Sequence, residues 1–299
     1  MLIRASGAIT EDFFLLTLGA SARYILRTSP TSYTLFNPGC SVQLPSLLDR
    51  LAQLSITPQQ ISYIVLTHLA ANTVPAAVHL KRLNPSAKII GAKSFEDQLA
   101  PYWQQIATDD TKFSALMPAH SAPSIAGMPS QLFDYYLSDG ESLPLSPTQS
   151  LCCRYSTGFA QQEASYLIEP LRFLIVNEVG GYFRGKELPA PAADHSTDGC
   201  TITLSTTLQL ELAALCLPYK GVLTGGQVTR HLTTVRGVLT DVQREVVRAT
   251  REGISTTEIR SQIMEGLFSD DTPDPFLRLA LQRSGEQLWV HLSKDLAKS

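Results

Sequence analysis

The sequence predicts an α/β layered sandwich followed by a helical C-terminal segment, and three observations carry that prediction. Short aromatic and β-branched runs separated by turn residues fill the first forty positions. Apolar strands then alternate with helical stripes between residues 44 and 91. From Thr240 onward the pattern is helical. A β-α-β-α-β order buries its apolar faces by packing helices on a sheet, so a layered architecture follows.

Runs at 13–18, 23–27 and 33–36 are divided by Gly19-Ala20-Ser21 and by Ser29-Pro30-Thr31-Ser32, which supply the turns of a β-meander. Leu47, Leu48, Leu51 and Leu54 make one apolar stripe of a helix over 44–54. A strand at 61–66, a helix at 75–83, a strand at 88–91 and a helix at 95–106 follow. Residues 117–129 are rich in Pro, Ala and Ser, without a period, and read as a surface loop or lid. Strands return at 151–155, 164–168, 173–176 and 221–223, with a helix at 206–215. Ser255 and Glu258 fit a capping box that opens a helix through Ile263.

A boundary near Arg236 to Thr240 divides a main domain, 1–239, from a helical C-terminal cap, 240–299. The stripe Val246, Val247, Ile254, Ile259, Ile263 and Leu267 is a packing face of that cap. So short a segment has no core of its own, and the face must dock on the main domain or form a homodimer or partner contact.

Charged residues make up 17% of the 299, below the ~25% of ordinary soluble domains, and the net charge is −3. No basic field exists to hold nucleic acid. The apolar run at 13–18 is too short to span a membrane and follows Glu11 and Asp12, which argues against a signal peptide. Five cysteines without a CxxC spacing read as reduced thiols of a cytoplasmic protein. Cys152 and Cys153 are neighbours in a strand and point to opposite faces.

Residues 61–73 carry the chemical clue. A strand ending in Thr67-His68 resembles the opening of the metal loop of the metallo-β-lactamase superfamily, where His-x-His-x-Asp-His supplies a dinuclear site. Here His68 is kept, while Ala70, Asn72 and Thr73 stand at the other three ligand positions. Leu35-Phe36-Asn37-Pro38-Gly39 resembles a family strand ending in Asp-Thr-Gly, with Asn37 replacing the Asp, and Asp139-Gly140-Glu141 resembles its Asp-Gly-Asp turn. Phe159, seven residues before Tyr166, takes the place of the third metal His. Glu178 stands for the bridging Asp and Gly226 for the last ligand.

The resemblance covers about the first 240 residues and implies a four-layer αββα sandwich whose reaction centre has been dismantled. Asn37, His68, Ala70, Asn72, Thr73, Phe159, Glu178 and Gly226 are then expected to line the vestigial cleft. Zinc requires three or four N, O or S ligands, so no metal and no other cofactor is expected. The leading expectation is binding, of a small molecule in the old cleft or of a protein through the helical cap. A hydrolase is the alternative, with Cys40 as nucleophile, His68 as base and Glu178 as orienter, or with a relocated metal held by His68, Glu178 and either His120 or His195. The plainest reading of His68 is a buried group paired with Asn37 or Glu178.

Overall fold

The computed structural model describes residues 1–116, 125, 127, 129, 131–158, 163–184, 188–192, 195–268 and 274–296. His120, Phe159 and Asp194 therefore lie outside the described residues. Two sheets pack face to face with helices on their outer sides, the αββα arrangement that the sequence predicts.

The N-terminal sheet runs in the order β2 (Gly7–Ala8), β3 (Phe13–Leu18), β4 (Ser21–Ser29), β5 (Ser32–Phe36), β6 (Ile61–Val65), β7 (Lys88–Ala92), β8 (Tyr135–Leu137). Strands β3 to β5 are the expected meander; β5 to β8 pair in parallel. Parallel neighbours need crossovers, and α1 (Leu44–Gln53) and α2 (Val74–Leu83) supply two of them. The second sheet runs β1 (Leu2–Ile3), β16 (Val222–Thr224), β15 (Ala214–Cys216), β12 (Phe173–Ile175), β11 (Glu163–Glu169), β10 (Ser150–Ser156), β9 (Ser142–Pro144). A small hairpin pairs β13 (Tyr182–Arg184) with β14 (Leu188–Ala190).

Period-2 alternation sorts the second sheet between two cores. Tyr166 and Ile168 of β11 face the first sheet, whereas Leu167 packs outward with Leu204 of α4 (Thr197–Leu208) and Leu232 of α5 (Gly226–Arg251). Phe13 meets Phe173 edge-on at 5.1 Å across the sandwich. Cys152 and Cys153 divide between the two cores in the same way, and all five cysteines are buried thiols.

The helix expected at 206–215 is displaced toward the N-terminus. Ser196 caps α4 by accepting from the Gly199 N–H at 3.0 Å, so the helix starts at Thr197. Ala214–Cys216 instead pairs with β12 and β16 as a strand buried on both faces. The helix expected at 95–106 runs further, as α3 (Leu99–Leu116). Thr240 falls inside α5, which continues unbroken to Arg251.

Two further helices follow, α6 (Thr256–Ile263) and α7 (Pro275–Leu296). Ser255 caps α6 as expected, accepting from Glu258 N–H at 3.2 Å. Asp274 caps α7 through one oxygen, which accepts from Phe276 and Leu277 N–H, and its other oxygen accepts from Ala20 N–H at 2.6 Å. Val246, Ile259 and Ile263 share a core with Cys40, Val42 and Tyr182; Val247 is an exposed member of the expected stripe. Among the described residues no helix is long and apolar enough to cross a membrane.

Candidate functional site

Strand β6 delivers Thr67 and His68 to the edge of the sandwich. Asn37, just past β5, adopts a left-handed backbone (φ 47°), a conformation that asparagine tolerates better than most residues. There it accepts from Thr67 N–H through Oδ1 (2.9 Å), and its Nδ2 donates to Thr67 Oγ1 (3.0 Å). Thr67 Oγ1 in turn lies 2.9 Å from His68 Nδ1. Thr73 Oγ1 donates back to the His68 carbonyl at 2.8 Å and closes the loop.

On the other side of the imidazole, Nε2 lies 3.2 Å from Asn72 Oδ1 and 3.3 Å from Glu178 Oε2. Asn72 Nδ2 donates to Glu178 Oε1 at 2.7 Å. That donation orients the Asn72 oxygen toward His68, so the network assigns the ring proton to Nε2 and leaves Nδ1 to accept the Thr67 hydroxyl proton. His68 and Glu178 are 2% and 1% exposed.

Glu178 opens a 3-10 turn, Glu178–Gly180, capped by Asn177, which accepts from Val179 N–H at 2.8 Å. His231 of α5 holds that turn from behind, with Nε2 2.7 Å from the Gly180 carbonyl. Burial pushes the His231 imidazole down to about 4, against a raising contribution from that same hydrogen bond. Between pH 6.5 and 4 the unfolded chain therefore binds a proton that the folded chain refuses, and stability falls as the pH falls through that window. The full loss is about 3 kcal/mol. Urea titrations at pH 7 and pH 4.5 should show the His231→Gln variant losing about 2–3 kcal/mol less than the parent protein between the two. Equal losses would show that His231 does not carry the acid sensitivity.

Beneath the turn lies Arg23 of β4, a buried guanidinium that donates to Gln43 Oε1 (2.8 Å) and to the Ala22 carbonyl (3.0 Å). Burial pushes its pKa down, and the nearby Tyr219, Cys40 and Glu178 oppose that shift. Tyr219 is pushed up by burial and by Glu178, and its hydroxyl is hydrogen-bonded to Asn72. Cys40 is wholly buried in the core beneath the site and is pushed up to about 12 by that burial.

Above this floor lies a cavity of about 500 Å³. One wall is α3, whose Tyr102, Ile106 and Phe113 recur at helical spacing; the opposite wall is α7, through Phe276, Leu279 and Ala280. Phe113 and Phe276 close one end, their ring centres 5.4 Å apart. The α3 wall is fixed from behind by a buried trio. Ser41 donates its hydroxyl to Asp110 Oδ2 (2.6 Å) and its N–H to Oδ1 (2.8 Å), and its Oγ lies 3.0 Å from His79 Nε2. Serine sits in the middle, so the trio lacks the nucleophile–base–carboxylate order of a hydrolytic triad.

No family model matches the sequence, and no curated protein matches it. Solved structures do. A metallo-β-lactamase family protein from Thermus thermophilus is similar at 15% identity with a TM-score of 0.68, over 97% of this chain and 96% of that one. An archaeal metallo-β-lactamase superfamily protein from Sulfolobus tokodaii is similar at 15% identity with a TM-score of 0.60, over 95% and 99%. The metallo-β-lactamase of Elizabethkingia meningoseptica gives 15% and 0.55, over 83% and 92%. The chain has the metallo-β-lactamase fold.

The described residues of the 68–73 loop, read in the sequence as standing at metal-ligand positions, do not fit a metal. Ala70 has no donor, Thr73 gives its hydroxyl proton to a carbonyl, and the Asn72 amide is spent on Glu178 and His68. Deprotonated or imidazole anchors in sufficient number are what make binding favourable. Among the described residues no group of three or more His, Cys, Asp or Glu side chains is placed to hold an ion.

Of the positions expected in the vestigial cleft, His68, Ala70, Asn72 and Glu178 line the cavity. Asn37 and Thr73 brace the loop from beneath. Gly226 is a correction: it opens α5 in open space and takes no part in the cavity wall. Tyr219, in the turn after β15, is the side chain that reaches the site from that part of the chain. Cys40 does not line the cavity, and both ring nitrogens of His68 face other partners, so the Cys40-His68-Glu178 triad is not assembled. Of the relocated-metal candidates, His195 lines the cavity and His120 lies outside the described residues.

Proposed function

We propose that the protein is a metal-independent receptor for a small organic molecule, held in the cavity between α3 and α7. One observation carries this reading. Asn72 links His68 to Glu178 by hydrogen bonds, at positions the family resemblance gives to metal ligands, and all three line one cavity of ligand size. His68 and Asn72 are spent on one another and on Glu178, and no group of three or more His, Cys, Asp or Glu among the described residues is placed to hold the ion from which the fold's hydrolases draw their nucleophile. A volume of this size, walled by aromatic and aliphatic groups with a few polar ones, is the ordinary form of a small-molecule site.

The helical cap supports this reading over a protein-docking role. Phe276, Leu277, Leu281 and Leu288 of α7 are buried against the main body, so the apolar face of the cap is used to build the cavity wall.

Metal analysis tests the proposal. The purified protein is expected to carry well under one equivalent of zinc, iron or manganese, and a chelator is expected to leave its melting temperature unchanged. A native-state metal at a thousandfold excess over Kd adds about 4 kcal/mol, an effect that thermal melting does not miss. A chelator-induced drop of several degrees would overturn the metal-free reading.

A further inference from the structure

We infer that the cavity takes an uncharged, planar aromatic molecule bearing a carboxamide. This deepens the receptor reading and rests on it. Charge balance comes first. Among the described residues the charged side chains that line the cavity are the carboxylates Asp109 and Glu178 and the basic Lys112 and Arg283. The carboxylates are already engaged: Asp109 with Lys112 Nζ (2.9 Å) and Gln105 Nε2 (2.7 Å), and Glu178 with Asn72 and His68. Arg283 acts electrostatically on Asp109 from the opposite wall. On the floor of the cavity Glu178 is 1% exposed: a phosphate or carboxylate would be buried beside this like charge, and an ammonium would have to draw Glu178 away from Asn72 and His68, and either is costly. An uncharged ligand leaves these contacts intact.

Shape and surface come second. Among the described residues five aromatic side chains line the cavity: Tyr102, Phe113, Tyr182, Tyr219 and Phe276. Tyr182 and Tyr219 form a tilted pair at the floor, 5.6 Å apart, and Phe113 and Phe276 form one at the closed end. Edges and faces presented in this way favour a flat ring over an alkyl chain of equal area.

Hydrogen bonding comes third. Gln98 at the start of α3 and Gln287 far along α7 are half-buried on the two walls. Each terminal amide presents two donor hydrogens and an acceptor. Neither has a side-chain hydrogen bond among the described residues, unlike Gln105 and Asn72, which are engaged. A carboxamide is the neutral group that answers both functions of such an amide at once.

The test uses the full chain and four soluble probes of similar size: benzamide, benzoate, benzylammonium and hexanamide. Saturation-transfer NMR and calorimetry are expected to show benzamide binding at least tenfold more tightly than the other three. Gln98→Leu with Gln287→Leu should weaken benzamide about tenfold, and Ala280→Trp, which fills the cavity from the α7 wall, should abolish its binding. If benzoate, benzylammonium or hexanamide binds as tightly as benzamide, the ligand class is overturned and the receptor reading stands. Benzamide binding that survives Ala280→Trp in a protein of unchanged melting temperature places it outside this cavity and also overturns the inference. If none of the four binds, both the class and the receptor reading fall.

Discussion

Replacing Glu178 with alanine is expected to lower the free energy of unfolding by about 3–5 kcal/mol, the range for removing one partner of a buried charged pair. The carboxylate accepts from Asn72, faces His68 Nε2 at 3.3 Å, and is the buried negative charge acting on Arg23. Removing it takes the acceptor from the Asn72 amide, a contact from the His68 imidazole, and a nearby negative charge from a guanidinium that is 4% exposed. Glu178→Gln keeps the volume and an acceptor oxygen but not the charge, so its cost should be smaller, about 1–3 kcal/mol. Urea unfolding of the two variants beside the parent protein measures both. A loss under about 1 kcal/mol for Glu178→Ala, the size of an ordinary substitution, would show that Arg23 is balanced by other groups and that the floor of the cavity is not one electrostatic unit.

That cluster explains why so much of the site was readable without coordinates. A family metal loop is marked by a fixed pattern of residues, so Thr67 and His68 set the register in which Ala70 and Asn72 are compared with it, and the structure brings His68, Ala70 and Asn72 to one cavity. That register does not say how the side chains meet. That Asn72 would turn its amide onto Glu178, or that Asn37 would reach His68 only through Thr67, depends on side-chain rotamers that no spacing encodes. Gly226 was misplaced for a related reason. Strand β15 ends at Cys216, and Tyr219 in the turn that follows lies against the cavity, whereas Gly226 is already the first residue of α5.

The same division holds for the fold. Strands and helices with one buried face, such as β3, α1 and α2, follow their periodicity closely. Ala214–Cys216 is buried on both faces and is only three residues long, so it carries no alternation to read, and the leucines before it imitate a helical stripe. The walls of the cavity were harder still. Tyr102 and Arg283 are separated by most of the chain, and their convergence is decided by where α7 docks.

Truncation after residue 239 is expected to give aggregated or molten protein. The cut falls in the middle of α5 and removes α6 and α7 entirely. Val246, Ile259, Ile263, Phe276, Leu277, Leu281 and Leu288 go with them, and these share one core with Cys40, Val42, Val179, Tyr182 and Tyr219. Burial of a large apolar side chain is worth about 1.5–3 kcal/mol. Losing seven at once is comparable to or larger than the ~5–15 kcal/mol by which a domain is normally stable. The exposed remainder is the floor of the site itself, because Val179 follows Glu178 directly and Tyr219 bonds to Asn72. Stability and site architecture should therefore fail together. Size-exclusion chromatography, near-ultraviolet circular dichroism and dye binding on the 1–239 fragment decide the matter. A monomeric fragment with a cooperative melt would show that α6 and α7 are an appendage, and that the cavity they wall is not built into the stability of the fold.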